Sequence, residues 1–172
     1  MKYRLAQKGF TVADAENWHG NFQKFDLITM LNLLDRCEKP LKMLSEAKKS
    51  LRSNNLENEI DGGRLVISSV FPFRQSIEWR NSRRADEIVK IDGRWEIERQ
   101  AAKFVKDIVE PQGFELESIS RVPYLCEGDV KAPYYILNNV VMVFKLKNGN
   151  KKVEQVENGF FEEAYNEVKD EL

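Results

Sequence analysis

The stretch Phe25 to Leu34 reads FDLITMLNLL, which is a nearly continuous apolar run. Runs of this kind are typical of a strand that is buried on both faces of a parallel sheet. Pro40 begins a predicted helix, since Pro is favoured at the first helical position. After it, apolar residues recur at helical spacing: Leu41, Leu44, Ala47 and Leu51. A second apolar run, Arg64 to Phe71, predicts another buried strand.

The segments on either side of this strand-helix-strand unit are less regular. Residues Met1 to Lys8 predict a helix, Phe10 to Ala13 a short strand, and Asp14 to Asn21 a loop. Residues Arg74 to Arg94 are charged and have no regular period. We therefore expect an insertion there, over one edge of the sheet.

The carboxyl half predicts one more helix and two more strands. Apolar residues from Trp95 onward lie on one helical face, which ends at Pro111 to Gly113. Phe114 to Val122 and Ile136 to Leu146 predict strands that form an antiparallel hairpin around the loop Pro123 to Pro133. The order predicts an α/β fold with a mainly parallel sheet and an antiparallel last strand. The carboxyl half of class I, Rossmann-like methyltransferases has this order, and other α/β sheets fit it too.

Composition narrows the function classes. The chain has 172 residues, of which 42% are hydrophobic, and this predicts one soluble domain with a real core. Lysine and arginine total 27 against 28 acids, so we expect no nucleic-acid partner. No apolar run approaches the length of a membrane span. With one histidine and two distant cysteines we predict no metal site. We also expect the protein to be a monomer.

The two ends of the chain point to different compartments. The amino terminus lacks the apolar stretch of a secretory signal. The last four residues, Lys169 to Leu172, match the signal for retention in the endoplasmic reticulum. The alternative is an acidic amphipathic helix that happens to stop there, in an otherwise cytoplasmic protein. Within residues Asn148 to Leu172, a predicted short helix places Phe161, Tyr165 and Val168 on one face.

Two polar residues, Asn32 and Asp35, stand at the carboxyl end of the first buried strand. Open α/β sheets bind their ligands at this end of their strands. The functional interpretation is that both side chains face a substrate. The alternative is structural, in which Asp35 caps the helix that begins near Pro40 or pairs with Arg36.

A second candidate cluster surrounds the loop between the last two strands. Tyr124 precedes the acids of Cys126 to Asp129, and Tyr134 and Tyr135 follow them. Tyrosines near a sheet end are more often core residues with a hydrogen-bonded hydroxyl than catalytic groups. Because these tyrosines coincide with strand ends, a substrate-binding role stays open.

Three strings carry a resemblance: LNLLDRCEKPLKML from Leu31, GRLVISSVFPF from Gly63, and RVPYLCEGDVKAPYYILNNVVMVFKLK from Arg121. They resemble the methyltransferase-like protein 9 family, also called DREV, whose members are protein-histidine N-methyltransferases. The resemblance spans Met1 to Lys147. It implies methylation of the pros nitrogen of histidine in His-x-His segments of protein substrates, with S-adenosylmethionine as the methyl donor.

The resemblance also implies roles for individual residues. Asn32 and Asp35 would contact the target imidazole, and Tyr124 and Tyr135 would wall and orient it. Glu16, Asn17 and Leu31 would lie near the cofactor.

One expected feature is missing from the sequence. A complete class I fold carries a glycine-rich turn after an earlier strand, with an acid for the ribose. The glycines here are scattered, and none forms G-x-G-x-x-G after a strand. We therefore expect residues 1–147 to be a truncated methyltransferase domain that is inactive alone, followed by the charged tail 148–172. The alternative is a catalytically dead module that binds His-rich peptides.

Overall fold

A computed structural model describes residues 2–14, 16, 18–19, 24–53, 62–77, 85–91 and 96–147. It contains three α-helices and four strands: α1 (Lys2–Gln7), β1 (Leu27–Leu31), α2 (Pro40–Ser50), β2 (Arg64–Val70), α3 (Ile97–Lys103), β3 (Phe114–Glu127) and β4 (Tyr134–Leu146). A π-helical turn and a 3-10 turn continue α3: Phe104–Val109 and Glu110–Gln112. Gly113 follows in the left-handed conformation, at φ 95°, and ends the helical segment.

The four strands form one sheet in the order β1-β2-β4-β3. β1 and β2 are parallel, and β4 lies between β2 and β3, antiparallel to both. The antiparallel last strand is as predicted. The expectation of a mainly parallel sheet is met only by the β1–β2 pair, because the insertion of β4 makes both other pairs antiparallel.

The predicted bounds need correction in two places. Residues 10–13 were expected to form a strand, yet they have no regular structure. β3 and β4 are longer than their patterns indicate, so the connection between them shrinks to residues 128–133. The predicted tail helix, in residues 148–172, lies outside the described residues.

The core covers one face of the sheet. Residues in register point to the same face, and Met30, Ile67 and Met142 share the buried one. On α2, the predicted apolar positions Leu44 and Ala47 are fully buried and belong to the same cluster. The opposite face carries Leu27 and Leu31, which are 55% and 62% exposed.

A close approach at Gly63 fixes the start of β2. A Cβ atom at this position would lie 2.6 Å from the carbonyl oxygen of Phe25. The backbone N–H of Gly63 donates to the carbonyl of Arg52, and that of Arg64 donates to the carbonyl of Asp26. Glycine is required here because two backbones meet without room for a side chain.

About half of the β3–β4 hairpin extends past the end of β2. β2 ends at Val70, which lies opposite Asn139, so residues 123–138 project beyond the edge of the sheet as a two-stranded arm. The arm exposes large apolar side chains, including Leu125 and Ile136. No helix among the described residues is long and apolar enough to cross a membrane.

Candidate functional site

Asn32 follows β1 in an unusual backbone conformation. Its φ is 48°, in the left-handed region, which Asn tolerates better than most residues. Its backbone N–H donates to the carbonyl of Ser68 at 2.9 Å and so ties the residue to β2. The side-chain Oδ1 is buried and accepts no hydrogen bond. Non-glycine residues with positive φ are uncommon and cluster at functional sites, which makes Asn32 a candidate site residue.

Asp35 lies one turn further along the same loop. Its side chain is 14% exposed, and Oδ2 lies 3.3 Å from Nε of Arg36. The other oxygen, Oδ1, is buried without a hydrogen-bond partner. The pairing with Arg36 is one of the two structural roles considered for Asp35. The capping role is absent, since the N-cap of α2 is Lys39 and no side-chain cap bond is made by that residue.

A second segment packs against this loop. We call it the clamp segment, residues 75–77 and 85–89. The backbone N–H of Ser76 donates to the carbonyl of Asp35 at 2.8 Å, and that of Glu87 donates to the carbonyl of Glu38 at 3.0 Å. The predicted insertion therefore contacts the loop that carries Asn32 and Asp35, as far as its residues are described.

The arm positions both predicted substrate tyrosines. Tyr124 and Tyr135 are 39% and 37% exposed. The hydroxyl of Tyr135 donates to Oδ1 of Asp129 at 2.9 Å. That hydrogen bond raises the pKa of Tyr135, because it stabilises the protonated phenol beside a carboxylate. The pKa of Asp129 is lowered, mainly by the backbone N–H of Lys131 and then by the Tyr135 hydroxyl.

The sheet brings these residues to one edge. β1 and β2 end at this edge, β3 ends there and β4 begins there. By register, Leu31, Tyr124 and Tyr135 lie on the same face, opposite the core. Among the residues whose placement is described, no hydrogen bond or ion pair joins either tyrosine to Asn32 or Asp35.

The predicted cofactor residues form only part of a site. Leu31 offers an exposed apolar surface, and Glu16 is exposed, with its N–H donating to Oδ1 of Asp14 at 3.1 Å. Asn17 lies outside the described residues. Of the described glycines, none follows the carboxyl end of a parallel strand: Gly9, Gly62, Gly63, Gly113 and Gly128. The described residues therefore do not fit a complete S-adenosylmethionine site.

Three residues near this edge were missed by the sequence interpretation. Asn139 is 6% exposed, and its Oδ1 is buried without a hydrogen bond. Its signal is visible in hindsight, because a polar residue interrupts the apolar run of β4. Gln75 and Glu87 lie in the clamp segment and bond to backbone groups outside it, and nothing local in their sequence marks them.

The thiol of Cys37, two residues after Asp35, is held in its protonated form. Sγ of Cys37 donates to the carbonyl of Leu34 at 3.7 Å. Burial raises the pKa of Cys37 from 9.0 to about 11. Both cysteines are free, and within the described ranges no group of three or more His, Cys, Asp or Glu residues could hold a metal ion.

Comparison with known proteins identifies the family of the chain. A family model described as DREV methyltransferase matches residues 1–146. The chain belongs to the DREV methyltransferase family. The resemblance inferred from the motifs of this DREV chain is thereby confirmed at the level of the family.

One similar solved structure comes from work on the conversion of a disulfide bond into a thioacetal group during echinomycin biosynthesis. Its sequence is 13% identical, and the TM-score is 0.49. The alignment covers 98% of the DREV chain, which spans 66% of that structure's length.

Proposed function

We propose that this chain supplies the peptide-binding part of a protein-histidine N-methyltransferase, which uses S-adenosylmethionine to methylate the pros nitrogen in His-x-His segments. The observation that carries the proposal is Oδ1 of Asp35, a buried acceptor without a donor. Such an atom costs about 1–3 kcal/mol. A substrate that brings an N–H to Asp35 recovers that cost, and a neutral imidazole carries one.

The geometry of the loop suits the orientation of an imidazole. A neutral ring has one N–H and one nitrogen with a free lone pair. When Asp35 accepts the N–H of the tele nitrogen, the pros nitrogen keeps the lone pair that attacks a methyl group. Asn32 adds a second unpaired acceptor on the same loop. In this proposal the loop contributes mainly by positioning the ring.

The arm supplies the remaining contacts in this proposal. Tyr124 and Tyr135 lie on one face at the edge where β1 ends, and their rings wall the peptide on the side away from Asp35. Asp129 holds the Tyr135 hydroxyl in a fixed direction. A fixed aromatic wall orients the imidazole without adding a charged group.

Binding of the methyl donor is the part of the proposed function that the described residues support least. S-adenosylmethionine would supply the methyl group, but the chain lacks the glycine-rich turn that lets such a cofactor approach the backbone. We therefore expect weak or no cofactor binding by this chain alone. Residence in the endoplasmic reticulum stays a prediction of the final four residues.

A second candidate is a module that binds His-rich peptides without catalysis, since the buried, unpaired oxygens of Asn32 and Asp35 can accept an imidazole N–H with or without a methyl donor. It would use the same side chains: Asn32, Asp35, Tyr124 and Tyr135. The two candidates differ in the methyl donor. Calorimetric binding of S-adenosylmethionine, or a methyl group added to the peptide, counts against the module, whereas peptide binding alone is expected for both candidates.

The test compares two peptides that differ only in their histidines. Isothermal titration calorimetry should show that the full chain binds a peptide with His-Ala-His and not its Gln-Ala-Gln counterpart. Mass spectrometry after incubation with S-adenosylmethionine then reports any added methyl group. Equal binding of both peptides, or binding of neither, would overturn the proposed function.

A further inference from the structure

We infer that Gln75 is a positioning residue, whose side-chain amide holds the loop of Asn32 and Asp35 in place. The inference rests on the proposed function, because that function gives the loop its role. Gln75 itself touches no reacting group. Its side chain bonds to backbone groups of two other segments, at Cys37 and at Glu87 and Val89.

The Gln75 amide joins two segments through three hydrogen bonds. Its Nε2 donates to the carbonyl of Cys37 at 3.3 Å and to the carbonyl of Glu87 at 3.0 Å. Its Oε1 accepts from the backbone N–H of Val89 at 3.0 Å. One side chain thereby joins the loop of residues 32–39, which we call the site loop, to residues 85–89 of the clamp segment.

The neighbours of Gln75 extend this hold to the site itself. Ser76, the next residue, donates its backbone N–H to the carbonyl of Asp35 at 2.8 Å. Within its own sequence the loop has the turn bond from the N–H of Arg36 to the carbonyl of Leu33, at 3.0 Å. Because Asn32 has an unfavourable φ of 48°, the loop needs support from outside to keep its shape.

The chemistry of an amide suits this place better than either close relative. Leucine has a similar volume but leaves two carbonyls and one N–H without partners. Glutamate keeps the acceptor for Val89 but directs a carboxylate at the carbonyls of Cys37 and Glu87. Gln75→Leu is therefore the variant of choice, since it removes all three bonds without adding a charge.

Gln100 provides a matched control. It is a buried side-chain amide, whereas Gln75 is half-buried, and its Oε1 accepts from the backbone N–H of Phe73 at 3.0 Å. Gln100→Leu should lower the melting temperature much as Gln75→Leu does. It should leave the site loop unchanged, because Phe73 lies before the clamp segment.

The experiment measures loop protection and peptide affinity in the same variants. Hydrogen exchange followed by NMR reports the Ser76 N–H, and we expect it to exchange about tenfold faster in Gln75→Leu. Titration with the His-Ala-His peptide should show affinity about fivefold weaker in Gln75→Leu. Gln100→Leu should match the wild type in both measurements. In an Asp35→Ala background, Gln75→Leu should weaken binding less than it does in the wild type, because only Asn32 remains on the loop to be positioned.

Each result decides a separate question. Unchanged Ser76 exchange in Gln75→Leu overturns the inference, whether or not the peptide binds. Equal losses in Gln75→Leu and Gln100→Leu, or an undiminished effect of Gln75→Leu in the Asp35→Ala background, reduce Gln75 to a structural residue and also overturn it. A wild-type chain that does not bind the peptide overturns the proposed function, and the role of Gln75 in peptide binding with it.

Discussion

Glu87 caps helix α2 across 46 positions of sequence: its Oε2 accepts from the backbone N–H of Leu41 at 2.7 Å. The same oxygen accepts from the N–H of Lys42 at 3.2 Å. The first N–H groups of a helix have no partner within it, and the N-cap residue Lys39 makes no side-chain cap bond. A negative charge at the N-terminus of a helix also interacts favourably with the helix dipole.

Removing this cap should destabilise the fold measurably. We expect Glu87→Ala to lower the free energy of unfolding by about 1 kcal/mol, as other cap losses do. Thermal denaturation should then show a melting temperature lower by about 2–4 °C. Glu87→Gln keeps an acceptor and should lose less. Identical melting of Glu87→Ala and the wild type would show that the cap bond contributes nothing.

The same helix shows what sequence can and cannot predict. Its start at Pro40 follows from the preference of Pro for the first helical position and is confirmed. Of the four apolar positions predicted from helical spacing, Leu44 and Ala47 are buried within the helix, Leu41 is half-buried and Leu51 follows the last helical residue. Its cap comes from Glu87, whose partners lie far away in sequence, so no local pattern marks it. Asp35 had the right residue type for a cap but pairs with Arg36 instead. Residue type predicts candidate caps, whereas tertiary contacts select among them.

The site was predictable to a similar degree. The end of an apolar run located Asn32 and Asp35 at the strand edge, and the sheet order brought the tyrosine arm to that edge. The length of β3 was underestimated, because Pro123 and Gly128 indicate a loop. Pairing with β4 continues through Pro123 nevertheless. The buried, unpaired oxygen of Asn139 could be identified only from the structure, since burial depends on packing.

Asp35 should matter for peptide binding more than for stability. We expect Asp35→Ala to weaken binding of the His-Ala-His peptide about tenfold, the value of one hydrogen bond to a charged group. The melting temperature should change little, because removal of the buried, unpaired Oδ1 offsets the loss of the exposed bond from Arg36 to Oδ2. Arg36→Ala is the control, since it removes the partner of Oδ2 and keeps Oδ1. Wild-type affinity in Asp35→Ala would contradict the site assignment.

The buried, unpaired side-chain oxygen of Asn139 predicts a gain in stability. Replacing a buried, unpaired polar group by an apolar side chain of similar shape removes its desolvation cost. Asn139→Leu should therefore raise the melting temperature by about 2–4 °C. Asn138→Leu is a matched control, because Asn138 is exposed and accepts from Arg121 at 2.7 Å. It should give no gain, and a loss of stability in Asn139→Leu would disprove the argument.

Cys37 gives stability a pH dependence with a definite sign. Its pKa in the folded chain is about 11, above the ordinary value of 9.0. The unfolded chain therefore loses this proton first, so the contribution is complete below pH 9 and is lost as the pH rises toward 11. Chemical denaturation between these values should show falling stability, with a shallower slope in Cys37→Ala. An equal slope in the two proteins would assign the loss to other groups.

The hydrogen bond between Tyr135 and Asp129 predicts how the pKa of each group changes when the other group is replaced. The pKa of Tyr135 is raised above its ordinary value of 10.0, chiefly by its hydrogen bond to the carboxylate. Asp129→Asn removes the negative charge that opposes ionisation of the phenol, so the pKa of Tyr135 should fall. Carbon-13 NMR of the labelled tyrosine ring measures this titration directly.

The reciprocal variant separates the causes at Asp129. Oδ1 of Asp129 also accepts from the backbone N–H of Lys131 at 2.7 Å and of Ala132 at 3.3 Å. The Lys131 bond is the largest cause of the lowered pKa of Asp129, and the Tyr135 hydroxyl comes second. Tyr135→Phe should therefore raise the pKa of Asp129 only part of the way to its ordinary value. A full return would show that the turn of the arm depends on Tyr135, and an unchanged Tyr135 pKa in Asp129→Asn would exclude the bond in solution.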